Sequence, residues 1–147
     1  MFRELRETDY EQWRPLWDGY LSFYDHELSE EQTALTWKRF FDPSFNFHAF
    51  VLEQDGEVVG IAHCSFTVST WNDKSDLYLE DLFVKPSVRR GGIGSQLILG
   101  CAEFARVNGA GRLHWLTHKD NATAQSVYRK LASQSDFIIF ERKTKLD

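Results

Sequence analysis

The clearest chemical signal in the chain is a basic, glycine-rich stretch, Lys85-Pro86-Ser87-Val88-Arg89-Arg90-Gly91-Gly92-Ile93-Gly94-Ser95. An apolar strand over 77–84 runs into it, and the periodicity beyond it predicts a helix over about 92–107. The first backbone N–H groups of a helix have no partner inside it, and the macrodipole makes that end positive. Gly91, Gly92 and Gly94 carry no side chain that would keep an anion from this backbone. Arg89 and Arg90 add permanent positive charge in a fork that matches phosphate oxygens. Together these features predict a pyrophosphate site.

Two common nucleotide motifs fit poorly. A P-loop ends in Gly-Lys-Ser/Thr, and no such sequence follows here. A dinucleotide fingerprint has a third glycine where Leu97 stands, and it belongs to an early βαβ unit. This loop instead follows a meander of strands.

The elements that must position the loop can be read along the chain. Residues 2–7 suggest a short strand, and Thr8-Asp9 a helix start with Asp9 as N-cap. Trp13, Leu16, Trp17, Tyr20, Leu21 and Tyr24 form one apolar face of a helix over 10–24. Ser29-Glu30-Glu31-Gln32 reads as a capping box, opening a helix that carries Leu35, Trp37, Phe40 and Phe41 until Asp42-Pro43 stops it. Strands are predicted over 47–52 and 58–68, joined by the hairpin signal Asp55-Gly56, and over 77–84 after a turn at 72–75. Asn108-Gly109 ends the helix that leaves the glycine loop. A strand over 113–117, a helix over 121–132 and a final strand over 137–145 complete the order β-α-α-β-β-β-α-β-α-β. That order predicts one mixed α/β domain over 1–147 with a partly antiparallel sheet.

Arg89-x-x-Gly92-x-Gly94 after a strand, 79–84 (Leu-Glu-Asp-Leu-Phe-Val), and Asn121-x-x-Ala124-x-x-x-Tyr128 together resemble the GNAT superfamily, the GCN-five-related N-acetyltransferases. The order of elements matches from end to end. Ser69-Thr70-Trp71 and 127–132 are most similar to the fungal histone- and polyamine-acetylating branch and its bacterial relatives. The resemblance implies a GNAT-like acyl-CoA N-acyltransferase fold with about six or seven strands and four helices, splayed between the fourth and fifth core strands. It implies acetyl-CoA as cosubstrate, with Leu82, Phe83 and Val84 contacting pantetheine. Arg89, Arg90, Gly91, Gly92, Ile93, Gly94 and Ser95 would hold the pyrophosphate, and a backbone N–H near Leu82 would stabilise the oxyanion. Tyr128 is implied as the general acid at the coenzyme sulfur. Asn121 either caps its helix or does so while also touching the coenzyme arm. One departure is local: a Gly-Phe pair common in the family after the tyrosine is replaced by Leu131-Ala132-Ser133-Gln134-Ser135-Asp136-Phe137.

For the base that deprotonates the amine, Glu80 and Asp81 compete. Neighbours in a regular strand point to opposite faces, so one at most should face the amine directly. Resemblance to polyamine acetylases favours Glu80, directly or through water, with Asp81 the alternative. Either also suits a structural role or the holding of a cationic substrate. In this superfamily the first two helices form much of the acceptor wall, which here brings in Tyr20, Tyr24, Asp25 and Glu27. Aromatics beside carboxylates suit a small cationic amine such as a polyamine, diamine or amino acid, or a lysine side chain. A core-facing aromatic stripe with a solvated helix end is the plain alternative.

The remaining features narrow the function class. A formal net charge of −5 argues against a general nucleic-acid binder. No apolar run approaches the ~20 residues that span a bilayer, so no membrane partner is expected. Cys64 and Cys101 lack metal spacing and suit a reducing compartment, hence the cytoplasm. His26, His48, His63, His114 and His118 are scattered, and no metal is expected. The apolar segment Phe137, Ile138, Ile139 and Phe140 suits pairing across subunits in a homodimer, by analogy with the family. The competing function is a non-catalytic acyl-CoA-binding sensor or regulatory module.

Overall fold

Asp55 and Gly56 take φ of 52° and 78°, the left-handed pair that a type I′ turn requires. Their turn joins the second and third strands of a five-stranded sheet that organises most of the chain. The structure, a computed structural model, describes residues 1–145. Its strands are β1 (Phe2–Glu4), β2 (His48–Gln54), β3 (Glu57–Val68), β4 (Ser75–Val84) and β5 (Leu113–Trp115). Its helices are α1 (Tyr10–Phe23), α2 (Glu30–Phe40), α3 (Ile93–Val107) and α4 (Ala122–Leu131), with single 3-10 turns at Glu7–Asp9 and Pro86–Val88. The sheet order is β1-β2-β3-β4-β5. Its first four strands are antiparallel, and β5 runs parallel to β4.

The described chain forms two compact units, one up to Leu116 and one from Thr117 onward. The first holds the whole sheet with α1, α2 and α3. One of its faces is covered by α1, whose Trp13, Leu16 and Trp17 recur at helical spacing and are buried against Val51, Ile61 and Phe83. α2 adds Trp37 and Phe40, whose ring centroids lie 4.9 Å and 5.8 Å from that of Trp13. On the other face α3 buries Ile93, Leu97, Ile98, Cys101 and Ala105. There Cys101 meets Cys64 of β3 with 3.7 Å between the sulfurs, and both thiols are free. The second unit contains α4, capped by the Asn121 side chain, which accepts from the Ala124 N–H at 3.2 Å. Among the described residues no helix is long and apolar enough to cross a membrane.

Four expectations are corrected. Among the described residues the sheet has five strands rather than six or seven. The segment 137–145 forms no strand: its apolar residues suit one, but a strand exists only through a ladder, and none of the described residues pairs with it. Asp9 does not cap α1. It closes the preceding 3-10 turn and is buried, where it accepts from the Arg6 N–H at 2.7 Å and from both Arg3 guanidinium nitrogens at 2.8 Å and 3.0 Å. The Ser29 cap is present, its Oγ accepting from the Gln32 N–H at 3.1 Å. The Gln32 amide turns to Thr36 instead of closing the box.

Candidate active site

The β3–β4 ladder is regular except at one step. His63 stands opposite Asp81 and Cys64 opposite Leu79, so Glu80 is an extra residue without a counterpart. This is a β-bulge, which breaks the alternation of side chains and re-aims them. Glu80 and Asp81 consequently open into the same cavity, of about 310 Å³. The expectation that only one of them faces the site is therefore corrected, because it assumed an unbroken strand.

The rest of the cavity wall is mostly aromatic and neutral. α1 contributes Trp17 and Tyr20, the α1–α2 turn contributes His26 and Leu28, and α2 contributes Gln32, Thr36 and Phe40. Desolvation first, and then the Asp81 charge, push the Glu80 carboxyl above its ordinary value of 4.5. Burial and the negative charge of Asp81 likewise push the Tyr20 and Tyr24 phenols upward, so both stay protonated. The cavity thus joins two carboxylates to the protonated Tyr20 phenol and apolar rings.

Of the acceptor residues expected from sequence, Tyr20 lines the cavity. Tyr24 stands behind it, ring edge to Tyr20 at 5.0 Å between centroids. Asp25 and Glu27 do not line it. They lie in the α1–α2 turn, where Asp25 takes φ of 50° and its N–H bonds the Ser22 carbonyl at 3.1 Å. His26 and Leu28 from the same turn reach the cavity instead.

Sequence reading passed over His63, which is 4% exposed and sits at the cavity's inner wall. Its Nε2 accepts from the Trp13 indole N–H at 3.0 Å, and its Nδ1 lies 2.9 Å from Asp81 Oδ2. Its ring also lies 4.5 Å from that of Phe40 and 5.5 Å from that of Trp17. The signal that would have found it is register. Asp81 and His63 face each other only once the hairpin and its bulge are counted correctly.

Beyond β4 lies the glycine-rich turn. Arg90 and Gly92 take φ of 74° and 77°, so the backbone alternates hand immediately before α3. Such alternation turns successive N–H groups toward one side, a concavity suited to anions. The first helical bond of α3 runs from the Gln96 N–H to the Gly92 carbonyl at 3.0 Å, leaving the N–H groups before it at the helix mouth. Apart from Gly92 and its chain neighbours, no described atom lies within 4 Å of the point where a Cβ on Gly92 would stand. The space and the donors fit a diphosphate. Arg89 and Arg90 are both exposed at this turn. Arg89 additionally donates to the Val84 carbonyl at 3.2 Å and lies over the Phe83 ring at 5.1 Å, which ties the loop to the strand.

The sheet opens next to this turn. β5 pairs with β4 only at Leu77, Tyr78 and Leu79, so no strand among the described residues pairs with 82–84 on that side. The expected splay between the fourth and fifth strands is present. In the second unit Asn121 and Tyr128 fall on the half-buried stripe of α4.

A splayed mixed sheet, with a glycine-rich helix start suited to anions at the end of its fourth strand, defines an acyl-CoA transferase class of fold. The chain belongs to the Acetyltransferase (GNAT) family, whose model matches residues 2–132. It is 28% identical over 142 residues to a D-amino-acid N-acetyltransferase, HPA3, of Saccharomyces cerevisiae, covering 95% of this chain and 88% of the relative. It is 30% identical to an uncharacterized N-acetyltransferase, YhfO, of Bacillus subtilis, covering 91% and 89%. Among solved structures, AAC(6')-Iy bound to a CoA-linked acetylneamine bisubstrate analogue superposes with a TM-score of 0.84 at 23% identity, over 99% of this chain and 98% of that one. The chain is an acetyltransferase of this family.

Proposed function

We propose that this chain transfers an acetyl group from acetyl-CoA to a primary amine, most suitably a small cationic one such as a polyamine, diamine or amino acid, or a lysine side chain. The observation that carries this reading is the bulge that turns Glu80 and Asp81 into one aromatic-lined cavity. Two carboxylates beside the protonated Tyr20 phenol attract an ammonium and offer a base to deprotonate it. The relatives support the class of acceptor. HPA3 is named for D-amino acids, and the bisubstrate analogue of AAC(6')-Iy carries an aminoglycoside fragment.

Acetyl-CoA, when bound, supplies the activated acetyl group as a thioester. The N–H groups of 91–95 and the guanidinium groups of Arg89 and Arg90 are the proposed grip on its pyrophosphate. The backbone of Leu82, Phe83 and Val84 lies along the open side of β4, where the pantetheine arm is proposed to run, with a nearby N–H as oxyanion donor. Glu80 takes the proton from the ammonium, for which a raised carboxyl is better matched than an ordinary one. The family pattern assigns Tyr128 to hold the proton delivered to the leaving sulfur, and assigns Asn121, beyond its helix cap, to the coenzyme arm.

We take residues 1–147 as one functional domain, a reading supported by a family match that runs through both units. The two buried free thiols suit a reducing cytoplasm. We also propose a homodimer, supported by the exposed apolar residues at 138–140. The deciding experiment is a thiol-release screen with acetyl-CoA over polyamines, diamines, D- and L-amino acids and aminoglycosides. Release with at least one cationic amine is expected. Binding of CoA without release across the panel would instead identify a non-catalytic binding module. Tyr128→Phe should lower kcat at least tenfold, with little change in KM for acetyl-CoA.

A further inference from the structure

His63 has two nitrogens and two partners of opposite character. The Trp13 indole can only donate, so Nε2, 3.0 Å away, must be the accepting nitrogen without a proton. The single ring proton then sits on Nδ1, aimed at Asp81 Oδ2 at 2.9 Å, where an ionised carboxylate is the matching acceptor. A second proton on Nε2 would set two N–H groups against each other in a buried site. The ring has little freedom to turn away, because the rings of Trp17 and Phe40 pack against it.

We propose that His63 is a positioning residue, held by Trp13 as the neutral Nδ1–H tautomer, which keeps Asp81 as a fixed anion to seat the acceptor ammonium while Glu80 removes its proton. This inference rests on the amine-acetylating reading given above, and it divides labour between the paired carboxylates. One oxygen of Asp81 is engaged by His63, and the Tyr20 phenol also bonds this carboxylate, at the cavity wall. Its charge contributes to raising Glu80, so the anion that binds also tunes the anion that reacts. The proton moves from the ammonium nitrogen to a Glu80 oxygen, and the lone pair set free is the nucleophile. The other titratable groups facing the cavity are Tyr20 on α1, Cys64 on β3 and His26 in the α1–α2 turn, while α2 presents only neutral Gln32, Thr36 and Phe40. No other fixed positive group among these lining residues competes with the acceptor for Asp81.

The test combines long-range proton–nitrogen NMR of the ¹⁵N-labelled full chain with kinetics. In the wild type, His63 should show an unprotonated Nε2 and a protonated Nδ1, the tautomer selected by the Trp13 donor and the Asp81 acceptor. Trp13→Phe keeps an aromatic ring but removes the donor. In that variant the ring proton should no longer be confined to Nδ1, and KM for a diamine should rise about tenfold, a loss in the range of one charge-assisted hydrogen bond. KM for acetyl-CoA should not move. A wild-type His63 whose proton sits on Nε2, or a Trp13→Phe enzyme with the wild-type KM for the diamine, would overturn the inference. The wild-type spectrum needs neither a foldable variant nor a known acceptor. Absence of turnover with every amine would therefore sink the functional reading while leaving the tautomer decided on its own.

Discussion

Glu80 and Asp81 face one cavity although they are consecutive in a strand, because the β3–β4 ladder skips Glu80. Their proximity has a cost in charge repulsion that falls on Glu80, the member raised by desolvation and by its neighbour. A base must be ionised to work, so kcat/KM should fall on the acid side through a limb lying above 4.5, the ordinary value for this group. Asp81→Asn removes one cause of the rise and leaves the larger one, desolvation, so the limb should move toward 4.5 without reaching it. A limb that stays put would mean that Glu80 is not the group being titrated.

Glu80→Gln should lower kcat by about 100-fold, within the range for loss of a general base. Its effect on stability should have the opposite sign. A carboxyl whose folded pKa is raised contributes most when protonated, at pH below its unfolded value, and that contribution is lost as pH rises through the folded pKa. At neutral pH the ionised side chain is therefore a mild liability, and the glutamine variant should melt at the same temperature or slightly higher. Thermal melts beside kinetics check this; a variant both inactive and clearly destabilised would point to a structural role.

Gly92 sits at φ of 77° with open space where a side chain would be. Gly92→Ala should cost about 1–2 kcal/mol of stability, the penalty for an L-residue in the left-handed region. Gly92→Asn should recover part of that, since asparagine tolerates this conformation. Its side chain would nevertheless stand over the helix mouth, so CoA affinity by calorimetry should stay low in both. Wild-type affinity in the asparagine variant would remove the diphosphate from this turn.

Asp9 and Arg3 form a buried, two-pronged ion pair. Replacing Asp9 by Ala leaves the largely buried Arg3 guanidinium with only Glu53, at 3.4 Å, and the Glu4 carbonyl, and should cost about 3 kcal/mol in urea melts, whereas loss of a simple helix cap would cost about 1. The hydrogen bond from Arg3 is the main cause holding the Asp9 carboxyl below its ordinary 3.8. Its contribution is therefore full above 3.8 and disappears as pH falls through the lower folded value. The gap between wild type and Asp9→Ala should be flat from neutral pH to about 4 and close below it.

The elements were legible where local chemistry decides them. The helical spacing of Trp13, Leu16 and Trp17 gave α1, and Asp55-Gly56 gave the hairpin. The loop at 89–95 was readable because glycine, arginine and a helix start act through neighbouring residues. What stayed hidden depends on register and long-range contact. Asp9 looks like a cap until Arg3 is folded back onto it, since sequence shows the carboxylate but not its buried cation. The bulge at Glu80 has no composition signal, and without it the Trp13–His63–Asp81 arrangement, spread over three elements, is three unrelated residues. The missing strand at 137–145 shows the converse: β-forming side chains propose a strand, but only a partner's backbone makes one.

That segment yields the last prediction. Ile138 is 78% exposed and Phe140 89%, beside a half-exposed or more open Ile139. A run of large apolar side chains in water is unfavourable at about 25 cal/mol per Å², and burying it between two copies would recover that energy. A second chain also offers an array of backbone donors and acceptors. Ile138→Lys with Phe140→Lys places two charges in the proposed interface without touching the sheet or the cavity-lining residues. Sedimentation of the wild type should give a dimer and of the double variant a monomer, with the melting temperature of the wild type rising with protein concentration and that of the variant independent of it. A wild type that sediments as a monomer at tens of micromolar would end the homodimer proposal, and an unchanged dimer in the double variant would move the interface elsewhere on the surface.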